Sequence, residues 1–287
     1  VFSAPGTLLP NSSSVDPSMV YSSVHQQTVG LNLAWTNTDD KLFGHNNSFT
    51  LGTSMDYSHI SFGQNTYTAN LVSYQVIPDF FTDPSVVRVG SHNEDLSVFL
   101  TNTFDVTEKL KLTGSGSFNS TMVSLGGFND ASPLMGSHHY QRFNPSLGFS
   151  YLPEKNFNFF GGYSEAMRAP TAIELACSDP SNACALPTGF NGDPDLKPVI
   201  AKTYELGARG IWSRNTSWNF AIYDSRLTND IQFVGAGNSS TYGYFTNVGA
   251  TERRGLDLGV ATKLDKLFLS MNYGYVNSLY KDGWVNG

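Results

Sequence analysis

Apolar and polar residues alternate with a period of two along almost the whole chain, and few folds satisfy that pattern over 287 residues. Val29, Leu31, Leu33 and Trp35 fall on one side of an extended segment, with Thr28, Gly30, Asn32 and Ala34 on the other. The split returns as Leu96, Val98, Leu100 and Phe104 against Ser97, Thr101 and Thr103, and as Leu110, Leu112 and Phe118 against Lys111, Thr113, Ser115 and Ser117. It returns again as Leu147, Phe149 and Tyr151 against Ser146, Gly148 and Ser150, and finally as Leu267, Leu269, Met271, Tyr273 and Tyr275 against Ser270, Asn272 and Gly274. These segments predict about ten strands, each long enough to cross a bilayer at a tilt.

A soluble sandwich alternates too, so the lengths of the connections have to choose the architecture. Tight links at Thr107-Glu108-Lys109, Pro153-Glu154-Lys155, Ser213-Arg214-Asn215 and Lys263-Leu264-Asp265-Lys266, with a looser one at residues 39–46, occupy every second connection. The intervening connections, near residues 64–91, 124–140, 167–199 and 234–241, are long. In an up-and-down meander every second connection lies on the same rim, so the short turns share one end and the long loops the other. Transmembrane barrels show this asymmetry, with short periplasmic turns and long extracellular loops. In hydrocarbon every backbone N–H and C=O must pair within the protein, and a sheet achieves that only by closing on itself.

Composition removes the competing classes. No run of eighteen uncharged apolar residues exists, so no transmembrane helix is available. A net charge of −7 with no basic cluster gives nucleic-acid binding no electrostatic footing. The first twenty residues lack the basic start, apolar middle and small-residue cleavage site of a signal peptide. We expect the chain to be an internal piece of a longer one.

Several words occur in order along the chain: HNNSFTLGTSMDYSHISF at residues 45–62, RFNPSLGFSYLPEKNFNFFGGY at 142–163, then Arg168-Ala169-Pro170. A long polar loop follows, then Asp195-Leu196-Lys197-Pro198 shortly before Tyr204-Glu205-Leu206-Gly207, and YFTNVGATERRGLDLGV at 244–260. Together they resemble the TonB-dependent outer-membrane receptors. The resemblance implies a barrel of about 22 strands plugged by an N-terminal domain. Residues 1–287 would then be part of that single barrel domain, with the plug and the last strands outside this chain. It further implies an outer-membrane location, contact with membrane lipid and lipopolysaccharide, and coupling to periplasmic TonB through the plug. The implied activity is capture and energised import of a scarce extracellular ligand, a ferric siderophore or a similarly large nutrient. A passive porin or an outer-membrane barrel enzyme is the alternative, needing a charged lumen or convergent catalytic groups.

For chemistry the sequence offers little. His138-His139, with His25, His45, His59 and His92, have no second ligand at metal spacing, and no nucleophile-elbow or dinucleotide-loop motif is present. No cofactor, metal or catalytic residue is therefore expected. Loops on a rigid scaffold carry recognition, which makes His138, His139, Tyr140, Arg168, Phe190 and Tyr242 the candidate ligand contacts. Trp35, Trp212, Trp218 and Trp284 suit an interfacial aromatic girdle better than a ligand platform. Cys177 and Cys184 are the only cysteines and share one outer loop, which fits a disulfide in an oxidising compartment, two free thiols being the alternative.

Overall fold

The structure is a computed structural model, and it describes residues 18–68, 85–127, 136–180, 195–236 and 243–281. Ten strands form one antiparallel sheet in chain order: β1 (Ser18–Leu42), β2 (His45–Thr68), β3 (Ser85–Asp105), β4 (Leu110–Gly127), β5 (Gly136–Glu154), β6 (Phe157–Arg168), β7 (Val199–Ser213), β8 (Thr216–Gly235), β9 (Gly243–Leu264) and β10 (Leu267–Tyr280). Each strand pairs with its neighbours in sequence, the meander that the connection lengths predict. One five-residue helix, α1 (Ala172–Ala176), interrupts the connection from β6 to β7.

All short turns lie at one end. At the first of them the ladder runs on to Leu42 opposite His45, so the turn is tighter than the looser link expected at residues 39–46. Phe43 and Gly44 close it at φ of 52° and 82°, the doubly left-handed geometry that suits the twist of a two-residue hairpin. At the opposite end the strands extend further than alternation suggests. Ladder pairs persist as far as Thr66 with Ser85, which shortens the connection expected from residue 64 to residue 91.

Register sets the two faces. A single row of directly paired residues crosses the sheet from Phe104 through Leu112, Phe149, Gly161, Leu206, Ile222 and Leu256 to Tyr275. Leu112, Phe149, Leu206, Ile222 and Tyr275 in this row are exposed and Phe104 and Leu256 half-buried, and Val98, Phe118, Leu147 and Tyr204 on the same face are exposed as well. Such a continuous apolar surface is unstable against water and marks a face that meets lipid or protein. On the opposite face hydroxyl side chains bond across strands: Thr101 with Ser115 at 2.8 Å, Thr203 with Ser225 at 2.8 Å, and Ser54 with Ser97 at 2.8 Å. No helix among the described residues is long and apolar enough to cross a membrane, so any crossing is made by strands.

The polar face is also the concave one. Val89, Val123 and Leu125 from β3 and β4 share one buried cluster with Val199 and Ile231 from β7 and β8, and α1 fills the space between them. Strands far apart in the sheet meet through that helix, which requires the sheet to curl around it.

Candidate functional site: a knot on the concave face

The segment leaving β6 folds into a compact knot at the long-loop end. Pro170 is fully buried and ends the strand, because it has no N–H to continue the ladder. Thr171 then caps α1: the Glu174 amide donates to its hydroxyl at 3.3 Å, and the Thr171 amide donates to the Glu174 carboxylate at 2.7 Å. This reciprocal capping box is legible as Thr-x-x-Glu in the sequence. The long polar loop expected here thus opens with a helix that periodicity over so few residues does not reveal. Arg168 grips the same carboxylate with both terminal nitrogens, at 2.8 and 3.1 Å.

Leu175, Ala176 and Cys177 are completely buried, and they fasten the knot to the cluster described above. Strand β9 holds it from one side. The Phe245 amide donates to the Cys177 carbonyl at 2.6 Å, while the Asn247 side chain accepts from the Lys197 amide at 2.8 Å and donates to the Lys197 carbonyl at 2.9 Å. The same Asn247 amide group reaches the Asn229 carbonyl at 2.8 Å, where Asn229 sits at a φ of 54°. Strand β5 holds the knot from the other side. The Tyr140 hydroxyl donates to the Leu196 carbonyl at 3.1 Å, and His138 Nδ1 lies 3.5 Å from the Asp195 carboxylate.

The candidate contacts named from sequence divide accordingly. His138 and Tyr140 are buried, stacked rings on the concave face and bear on the Asp195-Leu196 stretch. Arg168 is half-exposed with its guanidinium engaged by Glu174. His139 is exposed, one residue out of phase with these two, and bonds to Ser120 at 2.8 Å and to Gln141 at 3.2 Å on the convex face. Phe190, Tyr242 and Cys184 lie outside the described residues, as does Trp284. Cys177 is disulfide-bonded. Three residues that hold the knot, Glu174, Asn247 and Leu175, are absent from the sequence-based set; Asn247 lies within the recognisable Asn-Val-Gly word, and Glu174 completes the capping box.

His59 and His92 face each other across β2 and β3 with their Nδ1 atoms 3.3 Å apart, and the Tyr57 hydroxyl is 2.8 Å from His92 Nδ1. No group of three or more metal-capable side chains occurs among the described residues. Nearer the short-turn end the concave face holds a cavity of about 690 Å³, where Arg209 lies over the Phe160 ring at 5.5 Å beside Glu205 and Asp257.

A knot clasped inside a curled, up-and-down sheet, apolar outside and polar within, coincides with a family whose β-barrel, described as TonB dependent receptor-like, matches residues 3–287. The chain belongs to the TonB-dependent receptor β-barrel family. Solved receptors of similar architecture include the alcaligin outer-membrane receptor FauA of Bordetella pertussis, 16% identical with a TM-score of 0.58 over 91% of this chain and 40% of its own. The siderophore receptor PiuA of Acinetobacter baumannii is 16% identical with a TM-score of 0.65, over 90% of this chain and 39% of its own. The ferripyoverdine receptor of Pseudomonas aeruginosa is 17% identical with a TM-score of 0.64, over 94% of this chain and 35% of its own. This TonB-dependent receptor segment therefore spans 40% or less of the length of these solved receptors.

Proposed function

We propose that this chain is the ligand-facing wall of an outer-membrane receptor-transporter that binds a ferric siderophore, or a nutrient of similar size, and imports it by TonB-coupled transport. In this reading residues 1–287 supply ten strands of a single barrel of about 22, and the plug that contacts TonB belongs to the rest of the protein. The convex face meets lipid, the short turns face the periplasm and the long loops face the exterior.

One observation carries the reading: the connection from β6 to β7 folds inward and is clasped by β5 and β9, so it narrows the concave space at the loop end. A passive pore keeps its lumen open, whereas a receptor presents a fixed platform there. His138 and Tyr140 support that platform from behind and Arg168 stands at its edge, while in sequence Phe190 belongs to the same connection and Tyr242 to the one between β8 and β9. His139, on the convex face, is the weakest contact of the set. The described Ser120–His139 pair lies on the convex face, outside the concave space, which favours a transporter over an enzyme.

The deciding experiment is uptake of radiolabelled iron from a panel of ferric siderophores by cells carrying or lacking the full-length receptor, with and without a proton-motive force. Receptor-dependent, energy-dependent uptake of one panel member is the expected outcome. Uptake that is indifferent to energisation and scales with solute size would establish a passive pore instead.

A further inference from the structure

We propose that His59, His92 and Tyr57 form a binding site on the convex face for a divalent transition-metal ion of the zinc and copper class. Register sets His59 of β2 directly opposite His92 of β3, and Tyr57, two residues before His59, opposite Glu94. Period two puts all four on the face of Met55 and Leu96, both exposed. The row through the two histidines, made of Gln27, His59, His92, Ser124 and Ser137, is polar on all five strands that it crosses. The apolar surface gives way at this row on the long-loop side of the sheet. His92 is exposed and His59 half-buried, so an ion arriving from water reaches both. The two lie thirty-three residues apart, and only the pairing of β2 with β3 brings them together, which no ligand spacing within the sequence announces.

The Nδ1 atoms of the two histidines are 3.3 Å apart and the ring centroids 4.6 Å, so these nitrogens are the near edges of the rings. The Tyr57 hydroxyl lies 2.8 Å from the same His92 nitrogen. Ligand atoms about 2.0–2.1 Å from one ion, at angles of roughly 90–109°, stand about 2.8–3.4 Å from each other, and both separations fit one coordination sphere. Hydrogen bonding alone serves the trio poorly. An imidazole nitrogen carries one proton or one lone pair, and His92 Nδ1 faces two partners with it. With a proton there, one donor is divided between two acceptors; without it, one lone pair is divided between two donors. A cation instead takes a lone pair from all three atoms at once. Imidazole nitrogens with a single oxygen donor suit zinc and copper, whereas magnesium and calcium call for an all-oxygen set. Glu94, on the same face opposite Tyr57, adds a negative charge beside the ion. With two histidines the cluster falls short of three His, Cys, Asp or Glu ligands, so Tyr57 and water complete the sphere. A bound ion ties β2 to β3 at the long-loop end.

The site faces away from the concave space, so it stands or falls independently of the uptake reading. The test titrates the tag-free, full-length receptor in detergent with Cu(II) and records its electron paramagnetic resonance spectrum. The part of the Cu(II) signal that is lost in His92→Gln should show coupling to two nitrogens, and Zn(II) but not Mg(II) should displace it. Affinity in His59→Gln and in His92→Gln should fall at least about tenfold, the loss that even an outer-shell partner can cause. Tyr57→Phe should bind severalfold more weakly while keeping the two-nitrogen pattern. His45→Gln, on the same strand at the short-turn end, should bind as the wild type does. Heat-modifiable migration of every variant keeps a loss of fold from being read as a loss of ligand. Absence of Cu(II) binding by the wild type, undiminished affinity in either His59→Gln or His92→Gln, or a lost signal with fewer than two nitrogens overturns the site. Displacement by Mg(II), an unchanged affinity in Tyr57→Phe, or an equal loss in His45→Gln overturns it as well.

Discussion

Asn247 on β9 forms a two-point hydrogen bond with the backbone of Lys197, accepting from its amide at 2.8 Å and donating to its carbonyl at 2.9 Å. The pair lies fifty residues apart in sequence, and the amide side chain stands in for a strand that would otherwise satisfy both groups. Asn247→Ala leaves that backbone without partners from the protein. We expect a local loss of about 0.5–1.5 kcal/mol, the net worth of a hydrogen bond at an exposed position where water can replace the lost partner. Hydrogen exchange at Leu196 and Lys197 in the full receptor should accelerate while the strand ladders stay protected. Unchanged exchange there would show that the Tyr140 bond to Leu196 holds the segment alone.

The Arg168–Glu174 grip should couple strand end to helix cap. Its planar fork meets both carboxylate oxygens, which the single ammonium of Arg168→Lys does not reproduce. Because Arg168 is half-exposed, a double-mutant cycle with Glu174→Gln should give a coupling of about 0.2–1 kcal/mol, falling as salt is raised. The readout is the rate at which protease cuts between β6 and β7. Strict additivity of the two variants would show that the capping box, and not the ion pair, fixes the helix.

The faces, the meander and the single rim of short turns were all legible in the sequence, because alternation and connection parity are local properties that a sheet simply inherits. Height in the membrane was not. Period two places Leu112 on the apolar face, yet it lies only two residues from the start of β4, near the short turns. Leu206, directly joined to it by the register row, stands seven residues from the end of β7. Strand tilt makes that difference, and tilt is a property of the whole sheet. The knot was half legible: Thr171 and Glu174 announce a cap, but nothing local reveals that Asn247 and Tyr140 converge on residues 196 and 197 from opposite sides. His139 shows the complementary failure, since adjacent histidines on a strand must point to opposite faces.

That distinction in height yields a graded prediction for lipid-face charges. Leu206→Arg should cost roughly 2–4 kcal/mol in barrel stability, Leu112→Arg close to 0–1, and Ser115→Arg on the concave face no more than Leu112→Arg. Urea-induced unfolding in lipid vesicles measures all three in the full receptor. Equal costs at Leu206 and Leu112 would contradict the tilt, and a cost at Ser115 matching Leu206 would contradict the assignment of faces.

The ten-stranded sheet has β1 at one end of its order and β10 at the other, and among the described residues neither finds a partner beyond β2 or β9. Unpaired strand edges template association with other chains. Residues 1–287 expressed alone should therefore aggregate in detergent or recover only when the remaining strands are supplied in trans. A monodisperse, heat-modifiable species would mean that the sheet closes with ten strands, and the assignment to a barrel of about 22 would fall with it.

Cys177 is buried at the C-terminal end of α1 and disulfide-bonded, and Cys184 is the one other cysteine in the sequence, so we propose that the two are joined. The bond would close a ring of about eight residues around Ser-Asp-Pro-Ser-Asn-Ala, in which Pro180 and its polar neighbours favour a turn. In the chain-entropy picture so short a ring contributes about 2.5 kcal/mol, below what a long crosslink gives. Its effect should also be local. Cys177 already has its carbonyl bonded to β9 and its neighbours Leu175 and Ala176 in the cluster, so the bond extends that fixed point outward into the loop and leaves the strand ladders unaffected. A Cys177→Ser, Cys184→Ser receptor is expected to keep its heat-modifiable barrel, to be cut faster within residues 178–194, and to bind its ligand more weakly. Peptide mapping of non-reduced protein from the membrane should recover the two cysteines in one linked pair. Free thiols in that map would refute the pairing, and loss of the barrel in the double variant would show that the crosslink supports the sheet and not the loop.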